Sequence, residues 1–179
     1  AEAVGLDGVE KIIRNESLIR ACENGEDKEA RWNMMMASTE GAMAFAKGLG
    51  AVHSMSHAAG ANQDLRLHHG TLNGVILPTI LRFNAGHVGD KYSRISRAMG
   101  KDESTDLAEG IEKLNERIGL PSGLAEMGIT ENMIPGLVAH SMTDPSNMTT
   151  PRLPSQEEWE KLFLEAMSIE SVSYTHLRA

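Results

Sequence analysis

Cysteine is almost absent: Cys22 is the one thiol in 179 residues, which excludes an internal disulfide framework and any cysteine-based zinc site. Aromatic residues make up only 4%, too few for the stacking platforms that hold single-stranded nucleic acid. No uninterrupted apolar run is long enough to span a bilayer. Positive charge is short as well, with 17 Lys and Arg against 25 Asp and Glu, a net charge of -8, and no local basic run. Such a chain has no attraction for nucleic acid or for an anionic membrane surface. The opening AEAVGLDGVEKII lacks the basic and apolar regions of a secretory signal. The expectation is therefore a cytoplasmic protein with small-molecule or protein partners, without nucleic acid and without membrane.

Also missing is any sustained period-two alternation of β-branched residues. VILPTI is the best strand candidate, and Pro78 sits in its middle. What is there instead is helical spacing, in a composition of 41% hydrophobic and 23% charged residues that suits one globular domain with its own core. The spacing predicts a helix over 2–24, kinked near Asn15, and a second one, capped by Asp27, running to Ala46. GLG at 48–50 breaks the chain, and a short helix follows over 51–59. Residues 61–70 read as a loop and 71–83 as a buried helix kinked at Pro78. Further helices are expected over 86–99, from the Asp106–Glu109 capping box to before Gly119, from Thr130 to His140, and from the Ser155–Glu158 capping box to Met167. The fold class is all-α, a helical bundle without internal repeats. Its eleven methionines, with Trp32 and Trp159, are expected to pack helix faces.

The histidines are distributed unevenly. Seven are present, and His53, His57, His68 and His69 fall within seventeen residues. His53 and His57 are four apart on one predicted helix, so they share a face, as an imidazole pair that binds a divalent metal does. His68 and His69 follow a loop, with Gly70 behind them. Spacing alone assigns both His53 and His57 to a metal, and Asp64 is the one acidic residue between the two clusters. The residues thus supply two or three imidazoles and an incomplete ligand shell. His87 and His140 stand singly and read as structural. Asn73 and Asn84 read as polar anchors of helix ends.

The stretch 48–84, GLGAVHSMSHAAGANQDLRLHHGTLNGVILPTILRFN, resembles the signature of the iron-containing alcohol dehydrogenases. That signature is a GLG lead, H-x-x-x-H-x-x-G, a loop, H-G-x-x-N, then LP and FN. It is matched by Gly50, His53, His57, Gly60, His69, Gly70, Asn73, Leu77, Pro78, Phe83 and Asn84. More loosely the resemblance runs from residue 1 to about 168. It implies the helical C-terminal domain of the iron-containing alcohol dehydrogenase and dehydroquinate synthase-like fold, occupying 1–170, with the family's N-terminal α/β domain absent.

In that family one divalent metal is held by an aspartate and three histidines. The resemblance makes His53 and His69 metal ligands. It makes His57 a catalytic residue beside the nicotinamide, implicated in proton relay, and His68 a supporting residue. The loop between His57 and His69 is about two residues longer than in common members, which leaves His68 as the alternative ligand. The metal implied is Fe2+, with Zn2+ the other choice, and NAD or NADP would be held by the missing N-terminal domain. The implied reaction interconverts a small alcohol with its aldehyde or ketone in an enzyme that is a homo-oligomer at full length. The chain alone, lacking two ligands, is expected to be inactive. A non-catalytic helical metal-binding or interaction module is the competing reading. Residues 171–179, SVSYTHLRA, fit neither helix nor family and resemble translated adapter sequence, so they are expected to be a non-native tail, and His176 is given no role.

Overall fold

A computed structural model describes residues 1–168, and among these there is no β-strand. The expectation about the tail at 171–179 lies outside the described residues. Helix α1 (Glu2–Val9) passes through a π-helical turn (Glu10–Arg14) and stops where Glu16 adopts a φ of 52°. Helix α2 (Ser17–Glu23) then resumes, so the break near Asn15 is real. Asp27 caps α3 (Lys28–Ala44) by accepting the Ala30 amide at 2.9 Å. Helices α4 (Ala51–Gly60) and α5 (His69–Asn84) follow.

The helix expected over 86–99 is shorter in the structure. Residues Ala85–His87 form a 3-10 turn, Gly89 turns the chain at φ 58°, and α6 covers Lys91–Ala98. Asp106 caps α7 (Leu107–Arg117) on the Ala108 and Glu109 amides, whereas the Glu109 carboxylate pairs with Lys113. Helix α8 (Ile134–Thr143) is entered through the 3-10 turn Glu131–Met133, and α9 (Gln156–Met167) carries the full reciprocal Ser155–Glu158 box.

The core lies among α4, α5, α8 and α9. Met55, Leu72, Ile76, Leu124, Trp159 and Phe163 are completely buried there. Leu124 and Ala125 donate their amides to the last carbonyls of α9 at 2.9 and 3.0 Å, which closes the connector between α7 and α8 against that helix. Helices α1 and α2 pack on α3, and α7 packs on α5.

Two packing expectations are corrected. Met55 and Met99 are buried, but Met35, Met43, Met142 and Met148 are exposed, so methionine is not the main core filler. Trp32 is 62% exposed while Trp159 is buried. The reason is the small residues of α3: Ala30 and Ala37 face inward and let α1 and α2 approach closely, which leaves Trp32, Met35 and Met43 on the outer face.

Helix α5 runs through Pro78 without ending. Proline has no N–H, so the Gly74 carbonyl four residues earlier loses its helical donor. Asn115 of α7 replaces it, donating Nδ2 to that carbonyl at 2.8 Å. Asn115→Ala leaves the carbonyl without this partner. It is expected to cost about 1–3 kcal/mol, read as a lowered urea midpoint with an unchanged slope.

Candidate metal centre

Helix α4 begins directly after the GLG segment and sends Ser54, Met55, Ala58 and Ala59 into the core. The 3.6-residue period then turns His53 and His57 together to the other side. Helix α5 starts two residues earlier than the sequence suggests. His68 is its N-cap: the ring Nδ1 accepts the Thr71 amide at 3.3 Å. His69 therefore stands in the first turn of α5, with Asn73 four residues on, facing α4.

Three imidazoles meet between the two helices. Ring centroids lie 5.8 Å apart for His53 and His57, and 5.3 Å apart for both His53–His69 and His57–His69, the last pair stacked. His68 is occupied with the cap. The Asn73 Nδ2 lies 3.4 Å from His53 Nε2 and 3.2 Å from His69 Nε2. Asn73, read from the sequence as a polar anchor of a helix end, is an amide set between two imidazoles. Asn84 does end α5 and is buried.

Hydrogen bonds assign the protons. The Ser56 hydroxyl is buried and donates to the His53 carbonyl at 3.1 Å, so toward His69 Nδ1, 3.4 Å away, it acts as acceptor. The His69 proton is then on Nδ1, and Nε2 keeps its lone pair for the Asn73 amide. Burial, then the nearby His69 and His57, hold His53 below the ordinary imidazole pKa, with Asp144 pulling the other way. Desolvation, then His57 and His68, lower His69 as well. Both rings are held toward the neutral state a metal ligand requires.

His57 is engaged differently. Its Nδ1 is 2.9 Å from Oδ2 of Asp144, a residue at the C-cap of α8 that is largely buried. Burial pushes the Asp144 carboxyl up, but bonds from Ser146 and from His57 outweigh this and bring it below the usual range. Asp144 opens a 3-10 turn, Pro145–Thr149, between α8 and α9. That turn and the end of α8 are tied to α4 and to the segment just before it. Ser54 Oγ donates to Asn147 Oδ1 at 2.6 Å, Ser141 Oγ donates to the Ser54 carbonyl at 3.2 Å, and Thr149 Oγ1 donates to the Leu49 carbonyl at 2.6 Å. Asn147 Nδ2 completes the web on the Ser141 carbonyl at 2.6 Å.

Gly48 makes room for this seam. Its φ is 104°, and a Cβ there would collide with the Thr149 side chain. Gly48→Ala is expected to destabilise the chain by about 1–3 kcal/mol. Gly50→Ala, whose Cβ would meet nothing nearer than 3.8 Å, is expected to cost much less. Denaturant midpoints of the two variants check the contrast.

The structure brings together His53, His57 and His69 as the sequence motif predicts, and keeps His87 and His140 exposed elsewhere. Sequence reasoning missed Ser56, Asn73 as a histidine partner, and Asp144. Among the described residues no group of three or more His, Cys, Asp or Glu is placed to hold a metal ion. The arrangement fits part of a divalent site. Two imidazoles whose Nε2 atoms reach one common donor are a suitable pair of ligands for a borderline cation.

The chain is 41% identical to 4-hydroxybutyrate dehydrogenase of Cupriavidus necator over 174 residues, covering 93% of the chain and 45% of that relative. It is 34% identical to an NAD-dependent methanol dehydrogenase of Bacillus methanolicus, covering 88% of the chain and 43% of that relative. Its fold superposes on a solved 1,3-propanediol oxidoreductase with a TM-score of 0.84 at 30% identity, covering 92% of the chain and 44% of that structure. The chain thus spans under half the length of the relatives it matches. Residues 3–167 match the C-terminal model of the Fe-containing alcohol dehydrogenase family, and the chain belongs to that family.

Proposed function

We propose that this chain is the metal-binding catalytic portion of a cytoplasmic alcohol dehydrogenase, which interconverts a small alcohol with its aldehyde or ketone by hydride transfer to NAD or NADP. The observation that carries the reading is the convergence of His53 Nε2 and His69 Nε2 on one amide nitrogen. Family membership, and relatives that are dehydrogenases of small hydroxy compounds, support it. In this reading His53 and His69 are two ligands of one divalent cation, Fe2+ or Zn2+, the aspartate and the third histidine are supplied by a helix upstream of this segment, and the nucleotide site by an N-terminal α/β domain further upstream. The full-length enzyme is a homo-oligomer in the same reading.

When bound, the cation supplies Lewis acidity that makes an alcohol hydroxyl acidic near neutral pH. The protein's part is to hold the ligands and handle the proton. Ser56 fixes the His69 ring by accepting its Nδ1–H, so Nε2 stays free. The core face of α4 fixes His53. His57 stacks on His69 but carries its own carboxylate partner, which suits a group that moves a proton rather than one that binds the cation.

The test is to graft residues 1–168 in place of the corresponding portion of the Cupriavidus necator relative. The hybrid is then assayed for metal content and for NAD or NADP reduction by small alcohols. Metal-dependent reduction of the nucleotide is expected. A folded, metal-loaded hybrid with no turnover would overturn the enzyme reading in favour of a non-catalytic metal-binding module.

A further inference from the structure

We infer that Asp144 is the positioning residue of His57: it fixes the imidazole as the Nδ1–H tautomer and leaves Nε2 as the nitrogen that exchanges protons. This deepens the reading of His57 as the proton-relaying group and rests on it.

Four observations carry the inference. The contact is direct, 2.9 Å from His57 Nδ1 to Asp144 Oδ2. A carboxylate has only acceptor oxygens, so the imidazole must donate there, and its single neutral-state proton is then on Nδ1. The carboxylate is also bonded at both oxygens. Its other oxygen accepts the Ser146 amide at 2.8 Å, and its backbone begins the turn whose Asn147 bonds Ser54 of α4 and Ser141 of α8 and whose Thr149 bonds the Leu49 carbonyl just before α4. Finally, the residue pair is 87 positions apart in sequence and joins α4 to the end of α8. The orientation of His57 therefore depends on tertiary structure and not on α4 alone. A buried carboxylate that holds an imidazole tautomer is a well-understood device for making the opposite nitrogen the working base.

The experiment is nitrogen-15 NMR of the imidazoles in the metal-free 179-residue chain. It is run about two pH units above the ordinary histidine value of about 6.5. The wild-type chain is expected to show His57 Nδ1 at the shift of a protonated nitrogen and Nε2 at that of a lone-pair nitrogen. Asp144→Asn keeps an acceptor for the Ser146 amide but can turn an N–H toward His57. It is expected to move most of the His57 population to the Nε2–H tautomer and leave His69, held by Ser56, unchanged. Wild-type His57 found as the Nε2–H form overturns the inference, and that reading needs no variant. So does an Asp144→Asn spectrum in which His57 keeps its Nδ1–H form. Neither metal nor turnover enters the measurement, so the dehydrogenase reading and this one fail separately.

Discussion

Alanine in place of either His53 or His69 is expected to reduce retained divalent metal by about 100-fold or more in the grafted enzyme, whereas His57→Ala retains it within a few-fold. Removing one of the few ligands of a cation costs more than the 10–100-fold typical of losing a residue that merely supports a ligand. The asymmetry among three histidines that all lie within 5.3–5.8 Å of each other follows from their partners. His53 and His69 present Nε2 to a shared amide, and His57 is committed through Nδ1 to Asp144. His57→Ala is expected to lower turnover instead, by the 10²–10⁴-fold characteristic of a lost proton-transfer group. His68→Ala is expected to leave metal bound, because that ring caps α5. Metal analysis after dialysis, beside turnover on the same samples, reads all four variants. Loss of metal in His57→Ala would show that the roles are misassigned.

The second large effect is on folding. Trp159→Ala is expected to cost about 3–5 kcal/mol, a large part of the roughly 5–15 kcal/mol that keeps a typical domain folded. Trp159 lies on α9, fully buried, in the same cluster as Phe163, Met55 and Leu72. Its loss leaves a cavity where α9 packs on α5 and α8, so the two helices that flank α4 lose part of their support. Trp32→Ala, on the outer face of α3, is expected to change stability by no more than about 0.5 kcal/mol. Guanidinium titrations separate the two. Equal effects would mean that the burial described for α9 and α3 is wrong.

Local rules account for what could be read without coordinates. Asp27, Asp106 and Ser155 have the side-chain chemistry of helix starts and cap helices where expected. The i, i+4 spacing of His53 and His57 places both on one face of α4 whatever the rest of the chain does. The family pattern also linked His69 to them across a loop, a link that spacing could not make.

The unread features are those set by distant partners. The first turn of α5 was missed because its cap is a histidine, a residue without strong capping preference. Pro78 frees the Gly74 carbonyl, and that Asn115 of α7 satisfies it cannot be read from the local sequence. Trp32 looks like core until the alanines of α3 let other helices occupy the inner face. Asp144 is one acidic residue among 25 Asp and Glu, and nothing in its neighbourhood announces that it meets His57 from 87 positions away. Ser56 is similarly unremarkable until its one proton is traced to the His53 carbonyl.

The proposed function requires that His53 and His69, and not His57, share one cation. Its most direct test is an anomalous-scattering map of crystals of the chain soaked in Zn2+. The account predicts one peak at about 2.0–2.1 Å from both His53 Nε2 and His69 Nε2, with His57 Nδ1 still on Asp144. A peak coordinated by His57, or by His68 in place of His69, would contradict it.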